Sequence, residues 1–292
     1  MNYEKLRLHI KELSYNSSFD EAQTELSEEV LTLTNLQCAS IILDIGAIPE
    51  DIAIDSTEEK LYTKVSEILL SRVFQGLGMK SVIINTRGDS ADVTAKSRFH
   101  NYSLVADSKT FRLSRTAKNQ KDFKVSSLAK WRGDDNYAVL VCPYYQYPRS
   151  LSQIFTQALE NNVCLLSWEY MSYLLQNSIE ETSDFSLAPI WNISDEIASN
   201  TSIANSRQCF LPTQYDTLKA IFNQFRLNDF NDFLLSIKDH LKKRGKLEIQ
   251  YWNCQVDMIK KYSKQQAIDA LLYNLGLRQK IETITKFISS LQ

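Results

Sequence analysis

The sequence predicts an α/β fold: a mixed β-sheet flanked by helices, with additional helices at the N- and C-terminal ends. Three observations carry this. Strand-like and helix-like segments alternate from about residue 55 to 168, the pattern of right-handed crossovers in a mixed sheet. Two runs, Tyr137-Ala138-Val139-Leu140-Val141-Cys142 and Val163-Cys164-Leu165-Leu166-Ser167-Trp168, are almost wholly apolar, as strands covered on both faces must be. Both ends of the chain place apolar residues at helical intervals.

Residues 1 to about 50 read as helical support, with Leu6, Ile10, Leu13, Leu26 and Val30 on the apolar face and a turn from Tyr15 to Ser18. Asp55-Ser56-Thr57-Glu58-Glu59 offers a hydroxyl cap followed by early acids, so a helix starts there and runs to about Gln75, ended by Gly76-Leu77-Gly78. The segments 81–85, 91–94 and 102–109 form an antiparallel meander around the turn Arg87-Gly88-Asp89-Ser90. A helix follows over Asn119–Arg132, then the strand at 137–142, an aromatic loop Tyr144-Tyr145-Gln146-Tyr147, a helix from Ser150 to Leu159, and the strand at 163–168. The loop tyrosines are expected to cover the sheet rather than stack on a ligand. Beyond Glu169 the pattern is helical, interrupted by a surface loop from Ser194 to Ser206. It resumes after Pro212, with one helix marked by Phe222 to Leu241 and a last one from Leu271 to Ile288. The organisation expected is a single domain over 1–292: helical support at 1–50, the core at 51–178, and a helical C-terminal region at 212–292.

Composition excludes several classes. With 43% hydrophobic and 23% charged residues, 7 Gly and 5 Pro among 292, the chain is an ordered globular protein. Its five cysteines are scattered, as reduced and mostly buried thiols would be, and neither they nor the three histidines approach zinc spacing. No run of about 18 apolar residues occurs, so a cytoplasmic protein with no membrane partner is expected. A net charge of −2 argues against a polyanion partner until the distribution is considered. From Lys109 to Arg132 eight Lys and Arg face the single acid Asp122, so a neutral average hides a cationic segment.

That segment follows the stretch on which the reading turns. Leu104-Val105-Ala106-Asp107-Ser108-Lys109 is a buried strand whose end carries a carboxylate and an ammonium two residues apart, hence on one face. Such a pair suits a hard cation and a water molecule held side by side, the requirement of phosphodiester hydrolysis. Asp92, on the neighbouring strand of the meander, adds a second carboxylate. The residues that follow are rich in cations, amides and hydroxyls, the groups that grip phosphates and read base edges.

Asp92, fourteen intervening residues, Asp107, one residue and Lys109 resemble the PD-(D/E)xK nuclease superfamily, with Ala91 at the label's proline. The segment from Val105 through Ala106-Asp107-Ser108-Lys109-Thr110-Phe111-Arg112-Leu113-Ser114-Arg115 to Val125 is similar to the HindIII family of type II restriction endonucleases. Further matches at Glu59-Lys60-Leu61, Arg87-Gly88, Gln146-Tyr147-Pro148, Ser167-Trp168-Glu169 and Ala267 to Leu272 extend the resemblance over most of the chain. The resemblance implies a restriction-endonuclease-like sheet, and a homodimer that cuts AAGCTT in double-stranded DNA with Mg²⁺, paired with a cognate methyltransferase. It implies that Asp92, Asp107 and the backbone carbonyl of Ser108 hold the metal, that Lys109 orients the attacking water, and that Glu59 is a supporting carboxylate. It points to Ala117, Asn119, Lys121 and Asp122 as base contacts. Arg112, Arg115, Lys118 and Lys124 suit phosphates.

One departure bears on the number of metal ions: Asn85 and Thr86 stand just before Arg87-Gly88, where the family has an acidic residue. It also keeps open a second reading, a relative that binds DNA without turnover. A third, an interaction protein whose cationic segment is only a solvated face, has to treat Asp107-Ser108-Lys109 as accidental.

Overall fold

A computed structural model describes residues 1–84, 90–115, 120–148, 152–200, 206–224 and 230–289. Three helices open the chain: α1 (Tyr3–Asn16), α2 (Phe19–Leu31) and α3 (Asn35–Ile45). Each starts where a side chain can satisfy an orphan N–H. Asn2 caps α1, and Ser18 and Thr34 form capping boxes with Glu21 and Gln37. Strand β1 (Ala47–Ile48) leads to α4 (Thr57–Gly76), the longest helix to touch the sheet. Ser56 caps it as its sequence demands, and Gly78, at φ +88°, supplies the left-handed residue that ends it.

The sheet comprises β2 (Lys80–Ile83), β3 (Val93–Lys96), β4 (Ser103–Ser108), β6 (Tyr137–Cys142) and β7 (Val163–Ser167), adjacent in that order. The first three run antiparallel as a meander, and β4, β6 and β7 run parallel. A separate two-stranded ribbon pairs β1 in parallel with β5 (Phe111–Arg112). Between β5 and β6 lie α5 (Gln120–Phe123) and α6 (Val125–Trp131), and between β6 and β7 lies α7 (Gln153–Glu160). α4 packs across β2, β3 and β4, while α6 and α7 pack against the parallel strands. Ala138 to Cys142 and Val163 to Ser167 are all buried, so both faces of these strands are covered. The α/β class and mixed, helix-flanked sheet are as the sequence predicts.

After β7 come α8 (Trp168–Gln176), α9 (Ala188–Trp191), α10 (Ile193–Asn200), α11 (Ser206–Gln224), α12 (Phe230–Ile259), α13 (Lys264–Asn274) and α14 (Leu277–Ser289). Four boundaries differ from the expectation. The helix expected over 119–132 is two, broken at Lys124, whose φ is +51°. The stretch read as a loop from Ser194 is helical to Asn200, because Ile193 and Ile197 bury one face of an otherwise polar run. α11 begins before Pro212, which lies inside the helix and forgoes the bond that an N–H there would give to the carbonyl of residue 208. Gly276, at φ +61°, divides the expected last helix into α13 and α14.

Two compact units are distinguished, Met1–Lys242 and Lys243–Gln292. The first holds the sheet and a continuous apolar core centred on Trp168, Trp191, Tyr62, Tyr170 and Phe74. The second holds the end of α12 with α13 and α14. Among the described residues, no helix is long and apolar enough to cross a membrane.

Candidate active site and nucleic-acid interface

The antiparallel register pairs Val93 with Ala106, and the Asp92 N–H donates to the Ala106 carbonyl at 3.1 Å. Continuing that register one residue sets Asp92 opposite Asp107, so the two carboxylates share a face. Asp107 is 3% exposed, and its Oδ2 is ion-paired with the Lys109 ammonium. The lysine is fixed at its backbone as well: its N–H donates to the Val141 carbonyl at 2.8 Å, extending the β4–β6 pairing one residue past the strand. Ser108 ties Asp92 down, its N–H donating to Asp92 Oδ2 at 2.8 Å and its hydroxyl to the same oxygen at 3.3 Å.

A further carboxylate comes from α4. Glu67 lies eight residues after Glu59, just over two turns along the same face. Its neighbour Ser66 meets Ser108 hydroxyl to hydroxyl at 3.1 Å. Burial, and next the negative charge of Asp92, push the Glu67 carboxyl up to about 7, opposed by Lys64, bonded to it at 2.7 Å, and by Lys109. Asp107 is likewise pushed up to about 7, first by burial and, against the pull of Lys109, by Asp92. Three carboxylates and two ammoniums therefore converge where desolvation penalises uncompensated negative charge. Oxygen donors under that strain fit a hard divalent cation. Among the described residues, no three His, Cys, Asp or Glu side chains are gathered closely enough to hold an ion alone. Two aspartates completed by backbone, water or phosphate oxygens would be the donors such a cation finds here.

Glu59, expected beside the metal, is bonded elsewhere. Its carboxylate accepts from the Arg112 guanidinium at 2.6 Å and from the Asp55 N–H at 2.7 Å. Arg112, expected on a phosphate, points inward: it also donates to the Pro49 carbonyl at 2.8 Å, and its side chain is 13% exposed. Beside it the buried Glu50 carboxylate accepts from both the N–H and hydroxyl of Ser114, at 2.9 and 2.8 Å. With the β1–β5 pairing and a bond from Gln146 to the Phe111 carbonyl at 3.2 Å, these contacts clamp residues 111–114 on two sides. No sequence signal announces Glu50. Glu67 is missed in the sequence reading as well, although its place on the same helix face as Glu59 is the signal that could have found it.

Of the residues expected to read DNA, Ala117, Lys118 and Asn119 lie outside the described residues, as does Asn85. Arg115 and Asp122 are ion-paired at 2.6 Å, with Arg115 over the Phe111 ring at 5.4 Å. Lys121 and Lys124 are exposed, the latter 5.6 Å from the Trp131 ring. In the aromatic loop Tyr147 is buried and donates to the Leu166 carbonyl at 2.8 Å, covering the sheet as expected, while Tyr145 is 41% exposed. A cleft of about 420 Å³ is lined by Glu59, Ser108, Lys109, Arg115 and Asp122 together.

This arrangement, an Asp–Asp–Lys cluster whose lysine lines a cleft together with Arg115, suits cleavage of a polyanionic backbone. Comparison with known proteins agrees with that chemistry. The model of the HindIII restriction endonuclease family matches residues 5–292. The type II restriction enzyme HindIII of Haemophilus influenzae is 40% identical over 291 residues, which covers 99% of this chain and 96% of that protein. On the strength of that near full-length match, the chain belongs to the HindIII restriction endonuclease family.

Proposed function

We propose that this protein is a type II site-specific deoxyribonuclease that hydrolyses double-stranded DNA at AAGCTT with Mg²⁺, leaving 5′-phosphate ends. It acts as a cytoplasmic homodimer beside a methyltransferase that protects the same sequence. The observation that carries this reading is the one cleft that Lys109, Arg115 and Asp122 line together, so that a DNA backbone held beside Lys109 brings its bases within reach of the segment that starts at Arg115.

In this reading Asp92, Asp107 and the Ser108 carbonyl hold the ion. When bound, it stabilises charge on the phosphate and lowers the pKa of a water. The chain's own residues do the positioning. Lys109 is held at its backbone by β6 and at its ammonium by Asp107, which leaves its remaining protons to orient a water toward phosphorus and to offset the negative charge that builds there. Glu67, paired with Lys64, sets the field at the carboxylates. Arg115 and Asp122 exchange their mutual ion pair for contacts to DNA, Arg115 to phosphate and Asp122 to a cytosine amino group. Lys121 and Asn119 suit guanine and adenine, and Ala117 a thymine methyl. Lys118 and Lys124 add salt-dependent affinity.

The test is digestion of a plasmid carrying one AAGCTT site, with Mg²⁺ and with EDTA, beside Asp107→Asn. One metal-dependent cut at that site, absent in the variant, is expected. Retarded migration of an AAGCTT duplex with no cut under any condition would replace this reading with DNA binding alone.

A further inference from the structure

We infer that Phe123, with the left-handed turn at Lys124, is the positioning residue that aims the base-reading segment, and so sets discrimination among sequences without touching DNA. This rests on the proposed function, which gives the segment ending at Asp122 to the bases. Helices α5 and α6 meet at Lys124, and Phe123 and Val125 on either side of it are both fully buried. On one continuous helix, residues two apart lie about 200° apart around the axis and cannot face the same core. Val125 and Leu128 form the buried face of α6, so Phe123 would point away from it. Lys124 removes the conflict by turning left-handed, at φ +51° and ψ +32°.

That conformation is costly for a residue with a Cβ, and it persists only where the surroundings impose it. Four non-glycine residues take a positive φ among those described, and Lys124 alone of them has a long side chain. The turn is not held by that side chain, which makes no cap bond and carries its ammonium over the Trp131 ring. What imposes it is the anchor. The Phe123 ring is 5.5 Å from that of Phe111 and stacks on Tyr147 at 5.8 Å. The Tyr147 hydroxyl lies 2.8 Å from the Leu166 carbonyl and 3.2 Å from that of Leu140, and Leu140 is the residue opposite Asp107 in the β4–β6 pairing. Phe111 stands two residues after Lys109, its N–H donating to the Gly46 carbonyl at 3.0 Å.

The stack thus ties residue 123 to β6 and β7 and, through Phe111, to the end of the strand that carries Asp107. One residue earlier the chain is already at the cleft: Asp122 lines it with Arg115, the two bonded at 2.6 Å, and Lys121 is exposed. A buried ring and a cleft-lining carboxylate on successive residues make Phe123 the last fixed point before the groups that meet bases. Such contacts suffer from a displacement of about 1 Å. A shift of the anchor therefore costs discrimination rather than chemistry, since Asp92 and Lys109 are held by backbone bonds of their own.

The experiment compares full-length Phe123→Leu, Lys124→Gly and Lys124→Ile with wild type and with Phe74→Leu, a control buried on α4. Values of kcat/KM are measured with Mg²⁺, well below every Tm, on an AAGCTT duplex and on one with a single base pair of that site changed. Phe123→Leu and Lys124→Ile are expected to lower the ratio of the two by about tenfold or more, the worth of one base contact. Glycine accepts a positive φ and a β-branched residue resists it, while both substitutions delete the ammonium. Lys124→Gly should therefore weaken binding to both duplexes alike and keep the ratio, and Phe74→Leu should lower Tm and keep it too. An unchanged ratio in Phe123→Leu, an equal loss in Lys124→Gly and Lys124→Ile, or as large a loss in Phe74→Leu would each overturn the inference. Where Lys124→Ile fails to fold, Phe123→Leu against Phe74→Leu decides, since both leave a buried leucine. Hydrogen exchange of residues 121–128 without DNA separates this inference from the reading on which it rests. Faster exchange there in Phe123→Leu than in Phe74→Leu, beside a wild type indifferent to AAGCTT, would refute the proposed recognition and support the anchor.

Discussion

Replacing Glu50 by alanine unfastens the segment that joins β4 to the cationic segment. The carboxylate is 4% exposed and accepts two bonds from Ser114, one from a backbone N–H with no side-chain freedom to seek another partner. Hydrogen bonds to a charged group contribute roughly 1.5–3 kcal/mol each, and an orphaned buried donor costs about as much again. Because the two bonds share one carboxylate, they do not add fully, and roughly 3 kcal/mol is expected for Glu50→Ala. At roughly 2–4 °C per kcal/mol for a unit of this size, Tm falls by roughly 6–12 °C. Glu50→Gln keeps one acceptor and can donate to the serine hydroxyl, so it loses only about 1 kcal/mol. Cleavage of AAGCTT, assayed well below both melting temperatures, should fall by about 10²-fold in kcat/KM for the alanine variant, since a displacement of about 1 Å in a positioning element has that effect. Thermal melting with a double-mutant cycle against Ser114→Ala measures the pair directly. A coupling energy near zero, or a Glu50→Ala melting point within about 1 °C of wild type, would refute the clamp.

Other outcomes follow from the same geometry. Asp107→Asn should abolish cleavage while retaining AAGCTT binding in gel shift, because the proposed mechanism gives this carboxylate to the metal and not to the bases; loss of binding as well would contradict the division of roles. Asp107 and Glu67 stand at about 7 in the folded chain, against about 4 when unfolded. Their contribution to metal-free stability is therefore complete below pH 4 and is lost as pH rises through 7. Melting of wild type should show that loss between pH 4.5 and 8, and Asp107→Asn a flatter profile; identical profiles would remove the aspartate from account. Mg²⁺ should recover the loss at pH 8 in wild type but not in Asp92→Asn/Asp107→Asn, as read by the shift in Tm. A disulfide reagent should label Cys254, which is exposed, long before Cys38, Cys142 and Cys164. These three are buried, and burial pushes the Cys38 thiol up to about 12. Peptide mapping after brief labelling checks the order.

The strands were legible because their signals are local. Tyr137 to Cys142 and Val163 to Ser167 announce two-sided burial by lacking polar residues, and the meander announces itself by the lengths of its strands, although the turn expected at Arg87-Gly88-Asp89 lies outside the described residues. The Asp107-Ser108-Lys109 spacing fixes a shared face before any tertiary contact is known. What the sequence conceals depends on partners far along the chain. Arg112 looks like a phosphate ligand until Pro49 and Glu59 claim it, 63 and 53 residues away. Glu50 follows a proline and reads as a turn residue until Ser114 meets it. The break at Lys124 is invisible too, since lysine is a good helix former and a positive φ is not written in its side chain. α10 was hidden because its two buried isoleucines are outnumbered by polar neighbours.

The backbone of Lys109 hangs from Val141, on a strand whose residues from Ala138 onward are all buried. Its height can change only if the β4–β6 register shifts: a one-residue slip turns every side chain of β6 to the opposite face, and a two-residue slip keeps the faces but carries each buried side chain out of its packing. On the proposed roles, cutting chemistry and sequence choice are carried on separate parts: the first on a strand held in register, the second on a segment whose start at residues 111–114 is fastened through a few polar bonds. Variants that change the bases recognised should therefore accumulate beyond Ser114, and a library confined to residues 115–124 should retain cleavage in most of its folded members.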